Sequence, residues 1–147
     1  MKIIFIDIDG VLNSTSGKGP YVADMEPSKL ALLKSIIDDN DVYGVVLTSD
    51  RRYSKVYMDL FIDTLDRYEI FMLDMIRRPK EIEEDSDDNR GKQIRDYLKD
   101  NKVDKFVILD DMDDEISALF PNEYIAVNRF YGLNEDIAQK IKEKLLS

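Results

Sequence analysis

The sequence predicts a three-layer α/β sandwich, with helices covering both faces of a central, mainly parallel five-stranded sheet. Three observations predict it. Short apolar runs recur along the 147 residues. Segments with helical spacing separate them, and the runs are continuous rather than alternating, as expected of strands buried on both faces. Such alternation builds right-handed βαβ units.

In order, "KIIFID" reads as the first strand, and Leu30, Leu33 and Ile37 after Pro27 mark a helix with one apolar face. "VYGVVLT" is the second strand, followed by a helix carrying Tyr57, Leu60, Phe61 and Leu65. "EIFMLD" is the third, and Ile94, Tyr97 and Leu98 belong to the helix beyond it. "KFVILD" and "EYIAVN" complete the sheet. A last helix starts after Asn134 as N-cap, with Glu135 and Asp136 in its first turn and Ile137, Ile141 and Leu145 along one face. The biased segment "KEIEEDSDDNR", residues 80–90, reads as a solvated acidic loop.

The length fits a single domain over residues 1–147 with a core that needs no staples. With no cysteine and no histidine, thiol catalysis, disulfides and the commonest zinc ligand and general base are all excluded. Catalysis would have to use carboxylates, hydroxyls, lysine, arginine and a hard metal ion. No apolar stretch reaches membrane-spanning length, and the start of the chain lacks a signal-peptide layout, so a cytoplasmic protein with no membrane partner is expected. The formal charge of -10 argues against general DNA coating.

In sheets of this kind, ligands bind beyond the carboxyl ends of the strands, and that is where the unusual residues fall. Asp7 ends the first apolar run, Thr48 and Ser49 the second, Asp110 and Asp111 the fourth. Residues two apart in an extended segment share a side, so Asp7 and Asp9 can face one crevice, with Gly10 turning the chain away. If the fourth strand lies beside the first, these carboxylates converge. Each pair at about 4 Å repels by about 1 kcal/mol in water and by more in a drier crevice, so a cation must compensate. An all-oxygen set with open positions suits Mg²⁺.

Lys92, read into the first turn of the third helix, sits where the macrodipole disfavours a cation, which points to a bound phosphate. Thr48, Ser49 and the backbone N–H groups that follow can donate to phosphoryl oxygens. Carboxylate nucleophile, metal, hydroxyl donor and ammonium are the parts of phosphoryl transfer through an aspartyl-phosphate.

This ordered set resembles the haloacid dehalogenase-like (HAD) phosphohydrolase superfamily, of Rossmann-like fold. "IIFIDIDGV" is similar to its first motif, "GVVLTS" to its second, "NRGKQI" to its lysine motif and "FVILDDMDD" to its acidic pair. The resemblance implies Asp7 as nucleophile and Asp9 as general acid, then base. It implies Mg²⁺ held by Asp7, the Asp9 carbonyl, Asp110 and Asp111, and a phosphoryl group held by Thr48 and Lys92, with Ser49 the alternative to Thr48 and Lys80 to Lys92. Within the superfamily the chain looks most like small capless members, the phosphatase modules of nucleic-acid repair proteins. Asp50 and Arg51 stand where their usual Thr-Ser-Ser-Trp-Arg has Ser-Trp, and Arg52 stands where it has Arg, so Arg51 and Arg52 become candidate substrate contacts. Only about a dozen residues remain unassigned between the first two motifs, too few for a folded lid.

An open site admits a nucleotide or polynucleotide phosphate end, and Arg51, Arg52, Arg77, Arg78, Lys80 and Arg90 would line it or merely balance surface charge. The sequence leaves the oligomeric state open. The alternatives are a phosphatase of small nucleotides or sugar phosphates and a non-catalytic receiver-like phosphoacceptor domain. The receiver order differs, with its acidic pair after the first strand and its lysine last.

Overall fold

The computed structural model describes residues 1–14, 25–48, 55–76 and 89–146. Its elements run β1 (Lys2–Ile6), α1 (Pro27–Asp39), β2 (Gly44–Leu47), α2 (Lys55–Arg67), β3 (Met72–Met75), α3 (Arg90–Asp100), β4 (Lys105–Asp110), α4 (Ile116–Leu119), β5 (Tyr124–Ala126) and α5 (Glu135–Leu146). The strands form one sheet in the order β3-β2-β1-β4-β5. Every pairing is parallel. This is the expected α/β sandwich, and among the described residues there is no second folded unit.

Alternation along β1 explains the layering. Ile4 and Ile6 pack into a core with Leu30 and Leu33 of α1, Phe61 and Leu65 of α2, and Ile137, Ile141 and Leu145 of α5. Ile3 and Phe5 face the other way, toward Ile94 of α3 and Ile116 of α4. Successive side chains of a strand alternate faces, so a strand apolar at every position is one with helices on both sides. Phe5 meets Tyr97 and Phe106 edge-on, with ring centroids 5.7 and 5.6 Å apart, the arrangement that aromatic quadrupoles favour.

Consecutive helices therefore change side between β3 and β4, and the reversal opens a crevice at the carboxyl ends of β1 and β4. Local signals fix the helix starts. Asn134 accepts from the Ile137 N–H at 3.0 Å, as expected of an N-cap. Asn89 does the same for Lys92 N–H at 2.9 Å.

The third strand departs most from the sequence expectation, while β2 and β5 are trimmed at their ends. The apolar run from Glu69 was read as strand from its first residue, yet β3 begins at Met72. Glu69 takes a left-handed conformation with φ of 57°, and the Ile70 N–H donates to Leu65 O at 2.9 Å. The first residues of the run thus close α2, because orphan carbonyls at a helix end need donors. β3 is an edge strand with Asp74 exposed.

Candidate active site at the ends of β1 and β4

Register brings the acids together. Ile6 pairs with Leu109 across β1 and β4, and the Asp7 N–H continues the ladder to Leu109 O at 3.1 Å. Asp7 and Asp110 thereby lie side by side, 8% and 0% exposed. Carboxylate oxygens of Asp7, Asp110 and Asp111 all fall within 4.8 Å of one another. Three buried or half-buried carboxylates at that spacing, all hard oxygen donors, fit a divalent cation of the Mg²⁺ type.

The backbone holds these side chains in place. Asp7 Oδ1 accepts from the Ile8 N–H at 2.8 Å, and Asp110 Oδ1 accepts from the Met112 N–H at 3.0 Å. The Tyr124 hydroxyl donates to Asp110 O at 3.3 Å. Burial, with the Asp110 charge beside it, pushes that hydroxyl up to about 12, so it remains a donor at neutral pH. Gly10, at φ of 80°, turns the chain against Asp111. A Cβ there would lie 2.7 Å from Asp111 Oδ2, so only glycine allows both the turn and the approach.

Electrostatics follow from burial. Desolvation raises the Asp7 carboxyl well above its ordinary value, Arg90 opposes this, and Asp110 and Asp111 add to it. Asp110 is likewise raised, to about 7, first by burial, with Arg90 and the Met112 N–H pulling the other way. Carboxyls held together in a dry crevice keep protons unless a cation replaces them.

Arg90 is set against Asp7 and Asp110, and Arg129 against Asp111. The Arg90 Nη1 lies 3.4 Å from Asp7 Oδ2 and also ion-pairs with Asp110 Oδ2. Docking of the α3 start explains the reach. The Arg90 N–H donates to Asp114 Oδ2 at 2.8 Å, the Gly91 N–H donates to Asp114 O at 3.1 Å, and a Cβ on Gly91 would meet Glu115 O at 2.7 Å. The first residue of α3 is thus pressed onto the loop after β4, and its side chain turns inward. From sequence, Arg90 closes a segment read as solvated and is one of six basic residues that would either line the crevice or balance surface charge; it is only 3% exposed and lines the crevice. Lys92 follows two positions later, half-buried in the same first turn.

Thr48 directly follows β2, where its N–H donates to Ile6 O at 3.0 Å beside Asp7. It is 2% exposed, and its hydroxyl has no hydrogen-bond partner among the described residues. A buried hydroxyl that the described residues leave without a partner is poised for an oxygen that arrives with a ligand. Asp9 is half-buried in the turn after β1, its Oδ1 accepting from Asn13 Nδ2 at 3.1 Å. Its carboxylate stands outside the acidic trio. Asn13, itself 1% exposed, also accepts from the Gly10 N–H at 2.9 Å. No motif marks Asn13 as a clamp on the Asp9–Gly10 turn, although it sits four residues beyond Asp9, in the helix-like turn where Leu12 N–H donates to Ile8 O at 2.8 Å. Ser49, Arg51, Arg52, Arg77, Arg78 and Lys80 lie outside the described residues.

An acidic trio at the switch point of a parallel sheet, with a buried hydroxyl at the neighbouring strand end, fits the fold and site of the HAD superfamily of phosphohydrolases. More closely, residues 3–138 match the family described as the HAD domain in Swiss Army Knife RNA repair proteins, and the chain belongs to it. No curated protein matches the sequence. Among the described residues, no helix is long and apolar enough to cross a membrane.

Proposed function

We propose that the protein is a Mg²⁺-dependent phosphomonoesterase that removes phosphate from nucleic-acid ends through an aspartyl-phosphate. The observation that carries the reading is the meeting of Asp7, Asp110 and Asp111 oxygens within 4.8 Å. Membership of an RNA-repair family supports a nucleic-acid substrate, and the absence of a folded lid among the described elements supports an open, capless site.

Asp7 contributes the nucleophile. One of its oxygens attacks phosphorus, the bond to the leaving oxygen breaks, and Asp9 gives that oxygen a proton. Asp9 then takes a proton from water as the water attacks phosphorus, the phosphorus–Asp7 bond breaks, and inorganic phosphate leaves. The Thr48 hydroxyl donates to a phosphoryl oxygen, and Arg90 and Lys92 at the start of α3 supply positive charge to the transferring group. Mg²⁺ held by Asp7, Asp110, Asp111 and the Asp9 carbonyl would offset the negative charge of phosphate and carboxylates. Asn13 keeps Asp9 turned to its task.

The test is a panel of 3′- and 5′-phosphorylated oligonucleotides, mononucleotides and sugar phosphates with Mg²⁺, using Asp7→Asn as blank. Phosphate release from oligonucleotides ahead of the small substrates is expected. Preference for mononucleotides or sugar phosphates would replace the substrate assignment, and release by Asp7→Asn equal to wild type would overturn the chemistry.

A further inference from the structure

The segment after β5 carries groups that the proposed hydrolysis leaves unused. Phe130 and Tyr131 are 56% and 67% exposed, and among the described residues neither ring packs edge-on or stacks against another. Exposed aromatics also occur at the opposite end of the sheet, but there Tyr43 and Phe71 pack on each other at 5.5 Å. The rings after β5 lack that shelter.

These rings stand on a turn that is fixed at both ends to the catalytic elements. Asn128 builds the turn, its Oδ1 accepting from the Phe130 N–H at 2.9 Å and its carbonyl from the Tyr131 and Gly132 N–H groups at 3.0 and 2.8 Å. On one side the Val127 N–H donates to Asp110 O at 2.9 Å, and on the other the Leu133 N–H donates to Val11 O at 2.8 Å. Gly132 at φ of 67° lies so close to Val11 and Asn13 that a Cβ would fall 2.9 Å from each carbonyl oxygen. Between them Arg129 Nε lies 3.3 Å from Asp111 Oδ2. The turn is therefore tied to the loop of Asp7 and Asp9, to Asp110 and to Asp111 at once.

We infer that residues 128–132 form a subsite for the base of the nucleotide that bears the phosphate, with the base stacking on Phe130 and Tyr131. This rests on the nucleic-acid-end reading above and names the part of the substrate that the chain grips. Every base has a flat π-face, so aromatic platforms hold single-stranded ends without reading sequence. A platform on a turn tied by hydrogen bonds to Asp110 and Val11 and by an ion pair to Asp111 would hold the base near the acidic trio and so orient the phosphate for attack. The ion pair to Asp111 makes Arg129 a positioning residue for the platform.

The experiment compares phosphorylated oligonucleotides whose terminal nucleotide is intact or abasic, with wild type, a Phe130→Ala/Tyr131→Ala double variant, Tyr131→Phe and a Tyr43→Ala control. Wild type should prefer the intact end by roughly 5- to 100-fold in kcat/KM, the range that stacking of one base supplies. In the double variant the preference should collapse toward one, through KM, with the melting temperature kept. Tyr131→Phe should retain it, and Tyr43→Ala should match wild type. Wild-type hydrolysis of both ends at equal rates, or a double variant with its preference intact, overturns the subsite alone. Failure of wild type on every oligonucleotide, with activity on base-free sugar phosphates, overturns the nucleic-acid reading and the subsite with it.

Discussion

Arg90 Nη1 lies 3.4 Å from Asp7 Oδ2 while the same guanidinium ion-pairs with Asp110. Both carboxyls are raised by burial and restrained by this one cation. Removing one member of a buried charge network leaves the others uncompensated, at a cost of about 3–5 kcal/mol. Arg90→Ala should therefore lower the metal-free melting temperature at pH 8 by at least about 6 °C on usual scaling for this size, and by less at pH 6, where Asp110 can take up a proton. For activity the informative pair is Arg90→Lys and Lys92→Ala. We expect kcat/KM to fall about tenfold or more in the first, because the planar fork is lost, and to fall less in the second. The reverse ordering returns the main phosphate-holding role to Lys92.

Thr48 presents a trade of stability against activity. Its hydroxyl is buried without a partner among the described residues, and an unpaired buried group costs about 1–3 kcal/mol. Thr48→Val, of nearly equal shape, should stabilise the ligand-free protein by about 1 kcal/mol in chemical denaturation. The same variant should lose about 10²-fold in kcat, the usual effect of deleting one donor to a reacting oxyanion. Thr48→Ser should keep most of the activity. A valine variant with wild-type kcat removes Thr48 from the site and points to the next hydroxyl, Ser49.

Asp7→Asn separates charge from shape. The amide oxygen can still accept from Ile8 N–H, as Asp7 Oδ1 does at 2.8 Å, so the turn should survive. Desolvation outweighs the help of Arg90 at this carboxyl. Neutralising it should thus raise the metal-free melting temperature at pH 8, about 2–4 °C for each kcal/mol relieved. Phosphate release should fall to that of a protein-free blank. Loss of activity together with a lower melting temperature would instead make Asp7 a structural residue.

The parts of this site that could be read from sequence are those carried by strand ends. Asp7, Thr48 and Asp110 each end an unbroken apolar run, and a parallel sheet brings such ends to one edge whatever the loops do. Arg90 could be named as a candidate lining residue but not singled out from five other basic residues, because its burial against the acids depends on how the α3 start docks onto Asp114 and Glu115, a contact between residues more than twenty apart with no local signature. In sequence it closes an acidic run and looks solvated. The late start of β3 was hidden for a different reason. Glu69 bears no glycine-like mark of a left-handed helix end, so an apolar run shared between helix cap and strand looks like strand alone. The turn of residues 128–132 has its meaning only from its ties to Asp110, Asp111 and Val11.

Metal and pH should act on stability in opposite directions. The folded Asp110 carboxyl is raised to about 7 from an ordinary 3.8, and Asp7 is raised with it. Between those values the folded state holds protons that the unfolded chain has released, so unfolding free energy falls as pH rises through the window. With no histidine or cysteine in the chain, no side chain of ordinary pKa masks the effect between pH 5 and 8. In EDTA the melting temperature should therefore decline from pH 5 to pH 8. Mg²⁺ binds the deprotonated carboxylates, so its stabilisation grows as those protons leave, reaching about 2.7 kcal/mol at a hundred times Kd. The Mg²⁺-induced rise in melting temperature should be larger at pH 8 than at pH 5.5, and Asp110→Asn should abolish most of the difference. A rise independent of pH, or one that survives Asp110→Asn, would place the ion away from this trio.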